Sequence, residues 1–177
     1  IEKNMMKIFE LDKQVKIDWF WSIIEEIKDE EHPEKALKVE LEKLSLKELL
    51  DFQQHFDTFH RNAYFWNLWG AARIINKYCS DDGFDYFCSA LISLGRSAYE
   101  NAITDPESLA EIELPKLLSN ELFSYVASRV YEEKTGVEMP RKASTSTNGP
   151  IYPNWDINND KECAVRLPKL WKKHRTK

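Results

Sequence analysis

An all-α, single-domain fold is predicted by three features of the 177-residue sequence. No segment alternates apolar and polar residues for long enough to build a sheet. Apolar residues instead recur every three or four positions in several stretches. Those stretches are punctuated by residues that start and stop helices, in a chain with only five glycines. The expected architecture is an irregular bundle of about six helices over roughly residues 15–136. An irregular arm and a short C-terminal helix follow over 137–177.

Asp18 is read as the N-cap of the first helix, which carries Trp19, Phe20, Ile23, Ile24 and Ile27 at helical spacing. His32-Pro33 restarts the chain, with proline suited to a first helical position, and Ala36, Leu37, Leu41 and Leu44 give the next face. Ser45 followed by Glu48 is a capping-box signature opening a helix through Leu49, Leu50, Phe52, Phe56 and Phe59. The helical pattern resumes from Tyr64 to Lys77 after a break near Asn62. Ser80 caps the next helix, whose stripe is Phe84, Phe87, Cys88 and Leu91, and Gly95 ends or bends it. Ser97 to Ile103 is helical and stops at Asp105-Pro106, with a short turn of helix to Ile112. Ser119 is read as the cap of a helix ending at Gly136. Beyond Val137 the stretch KASTSTNGPIYPNWDINND is polar and aperiodic, and the basic end holding Lys169, Lys172, Lys173, Arg175 and Lys177 is expected to be solvated.

Composition narrows the function classes. Apolar residues at 42% and charged residues at 31% describe a globular chain. The longest apolar run, near Tyr64 to Ala72, is far short of the roughly 20 residues of a membrane span, so no membrane partner is expected. A net charge of -5 argues against nucleic acid as a partner. Cys79, Cys88 and Cys163 are odd in number and lack C-x-x-C pairing, and the first residues hold no apolar secretory core, so a cytoplasmic location is expected. Walker, G-x-G-x-x-G, G-x-S-x-G and H-E-x-x-H motifs are all absent, and no cofactor is implied.

The chemistry-bearing candidates gather around CSDDGFDYF, residues 79–87. Asp81 and Asp85 are four apart and share a helix face within about 40°. Ser80, Asp81, Asp82 and Asp85 could orient a cation or hold a metal through carboxylates and waters, while acids in a first turn also offset the helix dipole with no further role. Trp66 and Trp69 offer stacking faces, against the simpler reading of core packing. Arg96 is a candidate anion clamp, and His55 a candidate acid or base on a phenylalanine-rich helix. Eleven helical residues set Arg96 about 16 Å from Asp85 unless the chain folds back at Gly95.

Residues 66–110, WNLWGAARIINKYCSDDGFDYFCSALISLGRSAYENAITDPESLA, resemble the signature of the bacterial domain-of-unknown-function 4240 family. The likeness extends to Phe20-Trp21, LSLKELLDFQQHF, YVASRVYEEKTG and the LPKLW tail. The matching positions are Trp66, Trp69, Cys79, Ser80, Asp81, Asp82, Gly83, Phe84, Asp85, Gly95 and Arg96. The resemblance implies a small, largely helical bacterial protein and implies no particular reaction. Two functions then compete. One is a binding or regulatory module recognising a protein or a small ligand through an acidic and aromatic face, with Asp81, Asp82 and Asp85 steering and a tryptophan as anchor. The alternative is a metal-dependent enzyme using the SDDGFD carboxylates, with Arg96 and His55 assisting.

Overall fold

A computed structural model describes residues 2–141 and 154–176. Among them the chain forms nine α-helices, two 3-10 turns and no β-strand. The helices are α1 (Glu2–Ile27), α2 (Pro33–Glu42), α3 (Leu46–Asn62), α4 (Trp66–Asn76), α5 (Asp81–Ser93), α6 (Arg96–Thr104), α7 (Val126–Thr135), α8 (Asp160–Arg166) and α9 (Pro168–His174). The 3-10 turns are Pro106–Glu111 and Leu122–Tyr125. The all-α expectation holds. The count exceeds about six in part through α8, whose seven residues give too little periodicity to read.

α1 corrects the sequence reading most. It does not begin at Asp18 but runs 26 residues from Glu2, about 39 Å. The stretch before Asp18 is rich in Glu, Lys, Met, Leu and Gln and free of Gly and Pro, so nothing in it stops a helix. Asp18 therefore sits within the helix, its Oδ1 accepting from Gln14 Nε2 at 2.8 Å and Arg96 NH1 at 2.7 Å. The second half of α1 enters the core through Phe20, Trp21, Ile24 and Ile27, while Leu11 and Val15 are exposed.

α5 is the central helix. From Phe87 to Ser93 every residue is buried, which is the pattern of a helix surrounded by others. The hydroxyls this places in the interior are satisfied locally, Ser89 Oγ donating to the Asp85 carbonyl and Ser93 Oγ to the Ala90 carbonyl. α3 and α1 pack on α5, and between them Phe20, Trp21, Phe52, Phe59 and Tyr99 form a ring cluster with centroids about 5 Å apart. α3 begins with the expected capping box, Ser45 N donating to Glu48 Oε2 at 2.8 Å and Glu48 N to Ser45 Oγ at 3.3 Å.

Ser119 does not cap the helix that follows it. The acceptor is Asn120, whose Oδ1 takes the Phe123 N–H at 3.1 Å and whose own N–H reaches the Tyr86 carbonyl. A 3-10 turn precedes α7, and α7 ends as expected at Gly136, with φ 72. The aperiodic stretch beyond Lys142 lies outside the described residues as far as 153. Where description resumes, Trp155 and Ile157 are buried, and α8 and α9 fold back onto α4. The basic end is thus not simply solvated. Leu170 is buried, Lys173 Nζ donates to the Ala110 and Ile112 carbonyls, and Arg175 lies 5.3 Å over the Trp171 ring.

Candidate functional site

The corner between α4 and α5 is built from its aromatic residues upward. α4 ends at Lys77, which takes the left-handed conformation at φ 67 and turns the chain. Trp69 fixes the connection by donating its Nε1 hydrogen to the Cys79 carbonyl at 3.2 Å. Its ring lies flat on Phe84 of α5, centroids 5.0 Å apart and planes 1° apart, and Trp66 stacks on its other side at 5.4 Å. Tyr64 closes the group, 5.1 Å from Phe84. Trp69 and Phe84 are buried, whereas Trp66 and Tyr64 are half-buried. One of the two candidate indoles is therefore core, and the other reaches the surface.

Ser80 caps α5, its Oγ accepting the Gly83 N–H at 3.2 Å. That leaves the neighbouring acids free of the capping task. Asp81, Asp82 and Asp85 are all exposed, and neither Asp81 nor Asp82 makes a side-chain hydrogen bond or ion pair with another described residue. Asp85 has a neighbour that the sequence did not reveal. His60 Nε2 stands 4.0 Å from its Oδ1 and 3.0 Å from its backbone carbonyl. The Tyr64 phenol is pushed above its ordinary acidity constant, first by burial and then by the charges of Asp85 and Asp81, so the ring lies in the field of both carboxylates. Tyr64, His60, Asp81 and Asp85 thus share one acidic face, backed by the Trp69–Phe84 stack against which Tyr64 packs.

The other candidates lie elsewhere. Arg96 is held between two helices, its NH1 2.7 Å from Asp18 of α1 and its Nε 2.6 Å from Glu100 of α6. His55 faces α1, its ring 6.0 Å from Phe20, and burial pushes its imidazole below the ordinary value. All three thiols are buried, and burial pushes Cys79 up to about 12. Among the described residues no group of three or more His, Cys, Asp or Glu side chains is arranged to hold a metal ion. No helix of the described residues is long and apolar enough to cross a membrane.

Arg96 also marks a second surface, one that sequence reasoning missed. A cleft of about 430 Å³ lies between α1 and α6, with Trp21 and Glu25 on one wall and Arg96, Glu100 and Asn101 on the other. Its walls are 71 or more residues apart in sequence, as the Glu25 to Arg96 bond shows, so no local motif could report it. The one sequence signal is Gly95-Arg96, where the chain turns into α6.

Comparison with known proteins assigns the chain. A family model described as a protein of unknown function, DUF4240, matches residues 16–133, about two thirds of the sequence. The chain belongs to the DUF4240 family. No curated protein and no solved structure matches it. The DUF4240 match takes in both the α4–α5 corner and the α1–α6 cleft. It leaves out α8, α9 and the first half of α1.

Proposed function

We propose that this chain is a recognition module whose acidic, aromatic-backed corner binds a basic partner segment. One observation carries the reading: Ser80 satisfies the helix end, so Asp81 and Asp85 stay in water beside the half-buried Tyr64 ring, which packs on the same aromatic stack that Trp66 joins. The carboxylates would draw in Lys or Arg side chains through long-range attraction. Trp66 would supply the apolar contact, because a large ring already held by Trp69 loses little freedom when a partner covers it.

The test is titration of a Lys/Arg-rich peptide and a Glu-rich control, followed by Trp fluorescence and by calorimetry. The basic peptide should bind, more weakly as salt rises. The combined Asp81→Asn, Asp82→Asn, Asp85→Asn variant and the Trp66→Ala variant should each lose roughly tenfold or more in affinity, about 1.4 kcal/mol. If the aspartates serve only the helix dipole, the triple variant melts lower yet binds as the parent does, and the reading fails.

A further inference from the structure

We infer that the groove between α4 and the Pro106–Glu111 turn is a docking site for a helical peptide segment, and that α8–α9 fills it here as a built-in ligand, which a partner segment of the same chemistry can replace. What the occupant presents defines that partner: a tryptophan, two leucines at the spacing of Leu167 and Leu170, and a lysine beyond them. The groove uses none of the residues of the α4–α5 corner, so either reading can fail without the other.

Both walls are shaped for the occupant. On α4, Gly70 stands in mid-helix, where glycine is less stable than alanine. Its missing side chain leaves a notch for the Trp155 ring; a Cβ there would collide with that ring and stand 3.3 Å from Leu167 Cδ1. Asn67, one turn earlier, accepts the Trp155 Nε1 hydrogen at 2.9 Å. On the facing wall Glu107 is only 9% exposed, and its two oxygens take the Lys169 and Leu170 amides at 2.7 and 3.1 Å. Those two bonds read backbone alone. Side-chain selectivity therefore rests on Trp155, Leu167 and Leu170, all buried by docking.

Charge is matched along the groove. Arg73 of α4 meets Asp160 at 3.3 Å, at the acidic start of α8. At the other end Glu111 meets Lys169 at 3.1 Å, and the Ala110 and Ile112 carbonyls accept from Lys173 Nζ. An acid first and bases last fix the direction in which a segment lies.

Groove and occupant differ in their dependence on each other. The family match takes in α4 and the turn, and ends at residue 133, before α8 and α9. At seven residues apiece these two helices are too short to hold their shape alone, so the groove orders them. An element ordered by docking opens at lower free energy than the core beneath it. A segment of equal chemistry then competes for the same walls.

The experiment weakens the occupant within the full chain by combining Trp155→Ala with Leu170→Ala, and adds a synthetic peptide of residues 154–176 in the parent sequence under reducing conditions. In the variant, amides of α8 and α9 should exchange fast while α3 and α5 stay protected. The peptide should bind and slow exchange in α4. Calorimetry should show affinity at least tenfold lower when the peptide itself carries Leu170→Ala, or when the chain also carries Glu107→Ala. The unsubstituted chain should likewise bind the peptide at least tenfold more weakly, because its own segment holds the groove at high effective concentration. The Leu170→Ala peptide keeps the parent charge, so equal binding of the two peptides would mean capture by charge alone. That result, loss of protection in α3 and α5 of the Trp155→Ala, Leu170→Ala variant, or a parent peptide that leaves exchange in α4 unchanged overturns the proposal.

Discussion

Gly95 occupies a backbone conformation, φ 98 and ψ 169, that is almost confined to glycine. A Cβ there would also stand 2.8 Å from Glu25 Oε1 and 2.9 Å from Lys28 Cδ. Glu25 is the group whose carboxylate takes the first amide of α6, since Gly95 has no side chain to do so. Gly95→Ala therefore combines backbone strain with loss of a helix cap, and should lower the unfolding free energy by about 1–3 kcal/mol in urea titration. Glu25→Ala should produce part of that loss, because it removes the cap and keeps the glycine. The cysteines make a second prediction at this scale. With Cys88 and Cys163 wholly enclosed and the Cys79 thiol pushed up to about 12, little thiolate exists at neutral pH. A thiol reagent should leave the native protein unlabelled and modify the cysteines at the rate at which the chain opens. Fast labelling in the absence of denaturant would contradict the burial of all three.

At the level of helices, charged side chains from one element repeatedly complete the ends of another. Glu25 of α1 does so for α6. Glu107 of the first 3-10 turn takes the Lys169 N–H at 2.7 Å and the Leu170 N–H at 3.1 Å, capping α9 across more than sixty residues. Lys134 of α7 donates to the Glu42 and Leu44 carbonyls at the end of α2, both at 2.7 Å. Anions at N-termini and a cation at a C-terminus are the signs that the helix dipole favours. Glu107 is almost fully enclosed, so Glu107→Ala strands the buried Leu170 amide and the part-buried Lys169 amide and should cost about 2–3 kcal/mol. Glu107→Gln should lose about half as much, since its one oxygen keeps one N–H while its amide nitrogen faces the other. Both should release α9 selectively, read as faster amide exchange in Pro168–His174 with α3 and α5 still protected. These long-range caps explain which elements were legible in the sequence. Ser45 with Glu48, Ser80 and Gly136 act within a few residues of themselves, and each was read correctly. Asn120 was missed because Ser119 beside it carries an equally good capping signal, and only the contact with the Tyr86 carbonyl distinguishes them. The seat of the basic end was hidden for the same reason, because Glu107 and its two amides are joined only by the fold. At the site, the exposure of the aspartates followed from Ser80 being the better cap, but the place of Arg96 depended on an α1 that starts sixteen residues earlier than its supposed N-cap.

Across the whole molecule, the displaced ionisation constants give a stability profile with two separate acid-sensitive ranges. His55 and His174 are held below the ordinary imidazole value of 6.5, in both cases chiefly by burial. Lys16 and Lys173 add to the effect on the two rings respectively, and Asp51 opposes it at His55. A base whose constant falls on folding binds a proton more readily when unfolded. Their contribution is complete above pH 6.5 and is lost as pH falls through the lower folded constants, after which it changes no further. Glu25 and Asp18 are held below their ordinary values of 4.5 and 3.8, first by hydrogen bonds to Lys28 and Arg96 respectively. Glu48 behaves likewise through Ser45. Their contribution is complete above about 4.5 and disappears below it as the carboxylates take up protons. The urea midpoint should therefore fall in two stages on acidification, one starting near pH 6.5 and levelling off, the next starting near 4.5. A His55→Gln, His174→Gln variant should lose the first stage and keep the second, whereas Glu25→Gln should diminish the second alone. Added salt should shrink the second stage more, because the exposed Asp18–Arg96 pair is screened while the burial of a ring is not. A single smooth decline, unchanged by the histidine substitutions, would mean that those rings are hydrated in the folded chain and that the seams where α3 meets α1 and α9 meets α4 are looser than described.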